Sequence, residues 1–445
     1  MPTIVSEDNG PIYERPVELL QNLIRIDTTN PPGNEVECIE YIKALLEEAG
    51  IATALFAKDY NRPNLIARLK GDGKSPPLML YGHVDVVPTA KQTWKYPPFE
   101  GKIVDGYVWG RGALDMKGGI AMMLAAVLRA KAQGLTPSGD VMLVMLCDEE
   151  SGSEYGARYL VENHSDQFAG IRYAIGEFGG YTAHVGTKKF YPIQTAEKQS
   201  CWIKATLRGP GGHGARIMRG GAMAKLSDFL HRLDKHCLPV HVTPLTREMI
   251  EIFASNLSFP KGLIFRQLLN PFLTNRILKI VGDISQYLDP LLHNTINATI
   301  VRGGEKINVV PSEITVELDG RLLPGFDSDD MLNELRQVIG NEVGLEVLRY
   351  DATPAQQDMG LFSTLAGVLG RADPDGTPMP MLLPACTDGK YFSRLGIQTY
   401  GFIPMELPAG FNFFKAIHAA DERIPLRAVE FGAKAIYDLL EHYDA

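Results

Sequence analysis

The chain has 445 residues, with 44 Lys and Arg against 53 Asp and Glu, so its formal net charge is −9. Hydrophobic residues make up 45% and charged residues 22% of the sequence, which is typical of a globular protein and excludes extensive disorder. The acidic balance argues against a nucleic-acid-binding protein, whose binding surface would be basic. At roughly 150 residues per domain, the length predicts two or three domains.

The cysteines and the apolar segments indicate where the protein works. Five Cys residues without Cys-x-x-Cys spacing argue against a disulfide framework and favour the reducing cytoplasm. The N-terminal segment has no basic stretch followed by an apolar one, so no signal peptide is expected. No run approaches the ~20 consecutive apolar residues of a membrane-spanning helix. We therefore expect a cytoplasmic protein without a membrane span.

The first half of the chain alternates between helical and strand patterns. Helices are predicted over residues 16–26, 35–49 and 118–132. Short, fully buried strands are predicted over residues 64–69, 78–81, 141–146 and 173–175. This alternation indicates an α/β fold with a mostly parallel sheet sandwiched by helices.

A second pattern begins near residue 195. Strands are predicted over residues 200–207, 296–301 and 314–318, and helices over 222–233 and 329–343, the last with Ser328 as its N-cap. Together these elements form a self-contained α+β unit. We therefore predict a discontinuous catalytic domain over residues 1–194 and 353–445, interrupted by an inserted domain over residues 195–352.

Residues able to bind metal follow the ends of the predicted strands. His83 and Asp85 follow one strand, the run from Asp148 to Glu150 follows another, and Glu177 follows a third. Asp115 precedes an apolar helix, and His418 lies near the C-terminus. Because open α/β sheets bind ligands at the carboxyl ends of their strands, these side chains are expected to converge.

Each of these residues also has a purely structural interpretation. Asp115 is in a position to cap a helix, the acidic run is typical of a solvated turn, and an isolated His418 is typical of a partnered polar residue. The joint pattern favours a site, because clustered carboxylates repel each other unless a metal or protons neutralise them. The residues alone leave the identity of the metal open.

Seven motifs resemble a known enzyme family. In chain order they are GHVDVVP, WGRGALDMKGG, CDEESGSEYGA, AIGEFGG, GPGGHGA, EKINVVPSEITVELDGRLLPG and IHAADERIP, between residues 82 and 425. They resemble the dinuclear zinc amidohydrolases related to aminoacylase, which include glutamate carboxypeptidase, acetylornithine deacetylase, succinyl-diaminopimelate desuccinylase and carboxypeptidase S. The resemblance implies a zinc-peptidase α/β domain that carries an inserted lid or dimerisation domain.

The resemblance also implies two divalent metal ions and five ligands for them. The five are His83, Asp115, Glu150, Glu177 and His418. Asp115 would bridge the two ions, with His83 and Glu177 at one and Glu150 and His418 at the other. The family implies zinc, while this mixture of oxygen and imidazole ligands also admits cobalt or manganese.

Five further residues receive roles from the resemblance. Glu149 would be the general base for a water held between the metals, and Asp85 would orient His83. His213 would stabilise the oxyanion in the partner subunit's site, which requires a homodimer through the inserted domain. Asn308 and Arg321 would grip the substrate carboxylate.

The predicted function is hydrolysis of an amide or peptide bond next to a free carboxylate, in an N-acyl amino acid or a small peptide. A dipeptidase or ureido-type amidohydrolase on the same site is an alternative, and a non-catalytic binding protein that keeps the fold is a third. Residues 239–292 form a long, apolar, Pro-interrupted insertion. One interpretation is additional packing in the inserted domain or at a dimer interface. The other is an apolar wall for a fatty-acyl or bulky hydrophobic group.

Overall fold

The computed structural model describes residues 10–282 and 285–444. Residues 1–9, on which the expectation of no signal peptide partly rests, lie outside the described residues. Within the described ranges, no helix combines the length and the apolar character that crossing a membrane requires.

The described chain forms two compact units. The first unit runs up to Thr195 and resumes over Asp358–Pro380 and from Thr387 onwards, and the second contains Ala196–Gln357 and Met381–Cys386. The domain boundaries given above stay a prediction. The packing places the second break at Asp358 rather than at residue 353, and it groups Met381–Cys386 with the second unit because this segment packs there.

The chain up to residue 197 contains the following elements: α1 (Pro16–Arg25), α2 (Val36–Glu48), β1 (Thr53–Ala57), β2 (Pro63–Leu69), β3 (Leu78–His83), β4 (Lys102–Val104), β5 (Tyr107–Trp109), α3 (Lys117–Ala132), β6 (Val141–Leu146), α4 (Ala157–Asn163), β7 (Tyr173–Gly176), β8 (Ala183–Val185) and β9 (Lys188–Glu197).

The second unit follows with these elements: β10 (Gln199–Arg208), β11 (Gly212–His213), α5 (Ala222–Lys235), α6 (Pro244–Asn256), α7 (Lys261–Arg266), α8 (Thr274–Ile280), α9 (Ser285–Leu292), β12 (Thr295–Arg302), β13 (Val309–Val310), β14 (Glu313–Leu322), α10 (Ser328–Ile339) and β15 (Gly344–Asp351). The remaining elements are α11 (Phe362–Ala372), β16 (Gly376–Leu383), α12 (Gly389–Phe392), β17 (Gln398–Gly401), α13 (Phe413–Ala416), β18 (Arg423–Pro425) and α14 (Leu426–His442).

The central sheet has the strand order β1-β2-β6-β3-β7-β17-β9-β16, with β8 paired to β9. Strands β6, β3, β7 and β17 are parallel, whereas β1 and β2 join one edge in antiparallel orientation. The predicted α/β class with a mostly parallel sheet is confirmed. The parallel register pairs His83 with Leu146, so the residues that follow β3 and β6 emerge at the same edge.

Alternating side chains of the central strands pack into two cores, one on each face of the sheet. In β3, Leu78 and Leu80 join a core with residues of α1, α3 and α14, whereas Met79 and Tyr81 join a core with residues of α4 and α12. This alternation is the period of two expected for a strand that is buried on both faces. The apolar runs in the sequence therefore predicted these strands well.

The second unit is built on the antiparallel sheet β12-β14-β10-β15. Every second residue of β10, from Cys201 to Leu207, is buried with residues of α5 and α10. The predicted helix over 329–343 needs a correction, because α10 begins at Ser328 and ends at Ile339. Its N-cap is Asp327, whose side chain accepts hydrogen bonds from the backbone N–H groups of Asp329 and Asp330, so Ser328 is not the cap.

Candidate active site

The first group of the candidate site forms around His83 at the end of β3. The imidazole is 1% exposed, and its Nδ1 lies 3.0 Å from the carbonyl oxygen of Asp85. Its Nε2 lies 3.1 Å from Oδ1 of Asp115 and 3.5 Å from Oε2 of Glu177, which directly follows β7. The backbone contact orients the ring so that Nε2 points at the two carboxylates.

A second group forms around His418, in the loop between α13 and β18. Its Nε2 lies 3.1 Å from Oδ2 of Asp115 and 3.2 Å from Oε1 of Glu150. Asp115 therefore lies between the two histidines, with one carboxylate oxygen facing each. The structure brings the five predicted metal ligands together.

Glu422 fixes the loop that carries Asp115. Its carboxylate is fully buried and accepts hydrogen bonds from the backbone N–H groups of Leu114 (2.7 Å) and Asp115 (3.2 Å). It also pairs with the buried guanidinium of Arg111 at 2.6 Å. Asp115 does not cap the following helix, because Met116 occupies the N-cap position of α3 without a side-chain cap. The interpretation of Asp115 as a helix cap is therefore wrong.

Asp85 organises the turn that carries Glu149 and Glu150. Its Oδ1 accepts a hydrogen bond from the backbone N–H of Glu149, and its Oδ2 accepts one from that of Glu150, both at 3.1 Å. The side chain of Asn30 also donates to Oδ2, at 2.8 Å. Asp148 precedes the two glutamates in a left-handed conformation, with φ of 66°, and this turns the chain out of β6.

Glu149 lies beside the first group. One of its carboxylate oxygens, His83 and Glu177 have ligand atoms within 4.8 Å of one another. Burial raises the pKa of Glu149 well above its ordinary value, and the nearby charge of Glu177 raises it further. The geometry thus admits Glu149 either as a proton acceptor or as a further ligand.

The remaining groups titrate as an interacting cluster. Burial raises the pKa of Glu177 to about 7, although the hydrogen bond to His83 opposes the shift. Hydrogen bonds to Asp115 and Glu150 raise the pKa of His418 to about 10. Burial opposes ionisation of Asp115, but the bonds to His418 and His83 outweigh it and lower the pKa of that carboxyl. Because metals bind neutral imidazole, cation binding here would release protons.

The other predicted site residues lie in the second unit. His213, in β11, is exposed and pairs with Val309 of β13, and its Nδ1 accepts a hydrogen bond from the backbone N–H of Ala215. Asn308 adjoins this ribbon, where its carbonyl oxygen accepts from the N–H of Gly214 at 2.8 Å. The structure therefore brings His213 and Asn308 together.

Arg321 lies on β14, outside that ribbon. Its guanidinium contacts both carboxylate oxygens of Asp319, at 3.0 and 3.2 Å. One of its terminal nitrogens also lies 3.1 Å from Oγ of Ser200 and 3.1 Å from Sγ of Cys386. These contacts hold the guanidinium in one orientation.

Four residues that organise the site were not assigned a role from the sequence. They are Asn30, Asp148, Glu422 and Asp388, whose carboxylate accepts a hydrogen bond from the hydroxyl of Ser153. Asp148 and Glu422 stand inside quoted motifs, Asp388 lies outside them, and Asn30 lies in a Thr-Asn-Pro-Pro turn that indicates only a loop. All four side chains are at most 2% exposed, and their burial is the property that the sequence does not show.

Comparison with known proteins identifies the family. A model of peptidase family M20/M25/M40 matches residues 79–442. The chain belongs to this family. It is therefore a metal-dependent peptidase or amidohydrolase, and both the predicted resemblance and the predicted metallo-hydrolase class are confirmed.

Individual relatives match over nearly the whole chain. Probable carboxypeptidase S-like 2 of Dictyostelium discoideum is 27% identical, over 96% of this chain and 85% of that protein. The N-fatty-acyl-amino acid synthase/hydrolase PM20D1 of Xenopus tropicalis is 26% identical, over 96% and 86%. The M20 family metallo-carboxypeptidase Sso-CP2 of Sulfolobus solfataricus shares the fold, with a TM-score of 0.69 at 18% identity over 96% and 99% of the two chains.

Proposed function

We propose that the protein hydrolyses an amide or peptide bond next to a free carboxylate, in N-acyl amino acids or small peptides. The observation that carries the proposal is the position of Asp115, whose two carboxylate oxygens face His83 and His418 at 3.1 Å each. A carboxylate in this position is suited to bridge two metal ions. Similarity to a carboxypeptidase S-like protein and to an N-fatty-acyl-amino acid hydrolase supports substrates that release a free amino acid.

The donor set fits two divalent cations. His83, Asp115 and Glu177 would hold one, and Asp115, Glu150 and His418 the other. Within the described residues, Oε1 of Glu177 is buried without a hydrogen-bond partner, as expected of a ligand atom for a cation. We propose zinc, with cobalt or manganese as alternatives. When bound, such ions lower the pKa of a water molecule and polarise the amide carbonyl.

Glu149 would move the proton. It would take a proton from the water that attacks the amide carbonyl and return that proton to the leaving nitrogen. A raised pKa suits both transfers, because the carboxylate then holds a proton more readily than an ordinary glutamate does. Asp85 would position Glu149 through the backbone hydrogen bond and orient His83.

Replacing Glu149 tests this assignment against the alternative that Glu149 is a ligand. The Glu149→Gln variant should lose about 10²–10⁴-fold in kcat and keep the wild-type metal content. Metal analysis and kinetics on the same preparation measure both. Unreduced turnover would contradict the role as a base, and loss of metal would show that Glu149 is a ligand. Glu154→Gln, at an exposed acid after the same turn, is the matched control.

The second unit would supply the contacts to the substrate. Arg321 suits a carboxylate because its guanidinium is planar and already oriented, and Asn308 would add an amide donor. His213 would stabilise the oxyanion in the partner subunit, so we propose a homodimer through the inserted domain. We also propose that the protein works in the cytoplasm, where the buried thiols Cys38, Cys147 and Cys201 stay reduced.

A substrate panel separates the remaining alternatives. N-acetyl and long-chain N-acyl amino acids, dipeptides and ureido acids are assayed with zinc, cobalt or manganese added. Preferential cleavage of N-acyl amino acids supports the proposal, whereas preferential cleavage of dipeptides or ureido acids supports the alternatives. Equal rates on acetyl and long-chain substrates would argue against an apolar acyl wall in residues 239–292.

A further inference from the structure

The insertion contains a basic segment in an acidic protein. Residues 252–282 include the four cations Lys261, Arg266, Arg276 and Lys279 and no Asp or Glu, in a chain whose net charge is −9. All four side chains are exposed, and none forms an ion pair within the described residues. This segment is therefore available to an anionic partner.

The same segment exposes large apolar side chains. Phe259 and Phe272, which precede α7 and α8, are 87% and 91% exposed, and Ile280 is 73% exposed. Leu263 and Ile264 of α7 are also exposed. Exposed apolar area of this kind on adjoining short helices marks an interaction surface, because its contact with water is unfavourable.

The packing of α7 and α8 determines which of their faces are exposed to solvent. Gly262 of α7 packs against the carbonyl oxygen of Ala254, and a ring contact between Phe253 and Phe265 joins α7 to α6. In α8, Thr274 and Leu278 are buried one turn apart. The residues on the other sides of α7 and α8 combine aliphatic or aromatic groups with the four cations.

We propose that residues 257–281, which we call the α7–α8 segment, dock the protein on an anionic lipid surface. Apolar side chains flanked by Lys and Arg are the composition of helices that lie in the membrane interface. The phenylalanines would enter the acyl region, while the cations would contact lipid phosphates. A second copy of the chain does not suit this surface, because a symmetric contact would bring two identical basic segments together and their positive charges would repel each other.

Vesicle binding tests the proposal without reference to the hydrolase activity. The full-length protein is sedimented with vesicles of phosphatidylcholine alone or with phosphatidylglycerol added. We expect binding to the anionic vesicles only, and weaker binding as salt is raised above about 0.1 M. Arg276→Gln/Lys279→Gln should lower the partition coefficient about 25-fold, at about fivefold per charge. Phe259→Ser/Phe272→Ser should lower it by at least about tenfold.

Matched variants on the first unit serve as controls. Tyr60→Ser/Ile103→Ser removes exposed apolar side chains, and Lys131→Gln/Lys188→Gln removes exposed cations. Both should bind like the wild type, and circular dichroism confirms that all variants fold. Failure of the wild type to bind anionic vesicles, or equal binding by the variants of the α7–α8 segment, would overturn the proposal. Sedimentation velocity in which the Phe259→Ser/Phe272→Ser variant alone changes from dimer to monomer would overturn it in favour of self-association.

Discussion

Buried charged groups have different partners in the two units of the protein. In the first unit, the carboxylates of Asp115, Glu150 and Glu177 lie against two histidines, and Oε1 of Glu177 lacks a hydrogen-bond donor among the described residues. In the second unit, the buried Lys198 donates to the carbonyl oxygen of His293 (2.8 Å) and to the hydroxyl of Thr295 (3.0 Å).

The two clusters differ in whether their polar groups need a ligand: the first is suited to bind one, whereas the groups of the second are paired within the chain. Buried carboxylates that repel each other gain stability from cations, so the first cluster is suited to bind them. The buried Lys198 of the second unit already has two oxygen partners. The polar cluster around Lys198 is therefore held in place by the chain's own hydrogen bonds. Four substitutions probe this contrast.

Asp115→Ala should have the largest effect. Because Asp115 faces both histidines, its loss should empty both metal positions and lower kcat/KM more than about 100-fold, the upper end for residues that only orient a ligand. Chelation should lower the Tm of the wild type and leave that of the variant unchanged. Metal analysis, kinetics and thermal melts measure these effects. Asp228→Ala, at an exposed acid of α5, should change none of them, and a metal-replete Asp115→Ala protein would refute the bridging role.

Glu422→Gln should destabilise the protein without touching a ligand. The substitution leaves the buried Arg111 without its ion-pair partner and weakens acceptance from the N–H groups of Leu114 and Asp115. Removing one partner of a buried pair costs about 3–5 kcal/mol. Urea unfolding of the chelated protein measures the loss, with the exposed Glu430→Gln as control. An unchanged unfolding midpoint would show that the pair contributes nothing to stability.

Arg321→Lys should affect substrate binding more than chemistry. Lysine cannot present two parallel donors to a carboxylate, so KM should rise about tenfold while kcat changes little. Steady-state kinetics on the best substrate of the panel give both constants. Arg208→Lys, at an exposed residue of β10, should leave KM unchanged. A fall in kcat at constant KM would assign Arg321 to the reaction instead of to binding.

The sequence predicts the strands and the ligands because both leave a local signal. Apolar runs such as residues 141–146 correspond to β6 residue for residue, and the acids and histidines follow such runs directly. The partners of these ligands leave no such signal. Glu422 holds Asp115 across more than 300 residues of chain, and Asn30 reaches Asp85 from a turn. Neither periodicity nor spacing records these contacts.

Competition between neighbouring residues explains the wrong N-cap prediction for α10. Asp327 and Ser328 are both good N-cap residues, and the sequence does not show which one accepts the backbone hydrogen bonds. The interpretations of the apolar insertion over residues 239–292 stay predictions, and Phe259 and Phe272 within it are exposed in the single chain. Apolar content predicts that side chains seek a nonaqueous environment, and it does not say whether the chain or a partner provides it.

Lys198→Met should change how the free energy of unfolding depends on pH, in addition to changing its value. Burial, reinforced by the charge of Arg321, lowers the pKa of Lys198 from 10.5 to about 7. The cost of burying the charged form is therefore fully present below pH 7, and it disappears as the pH rises from about 7 towards 10.5, because the unfolded chain then holds one more proton than the folded one. In this window Lys198 should add about 1.4 kcal/mol of stability per pH unit. Unfolding free energies of wild type and variant should therefore converge with rising pH, and parallel curves would show that Lys198 stays charged in the folded protein.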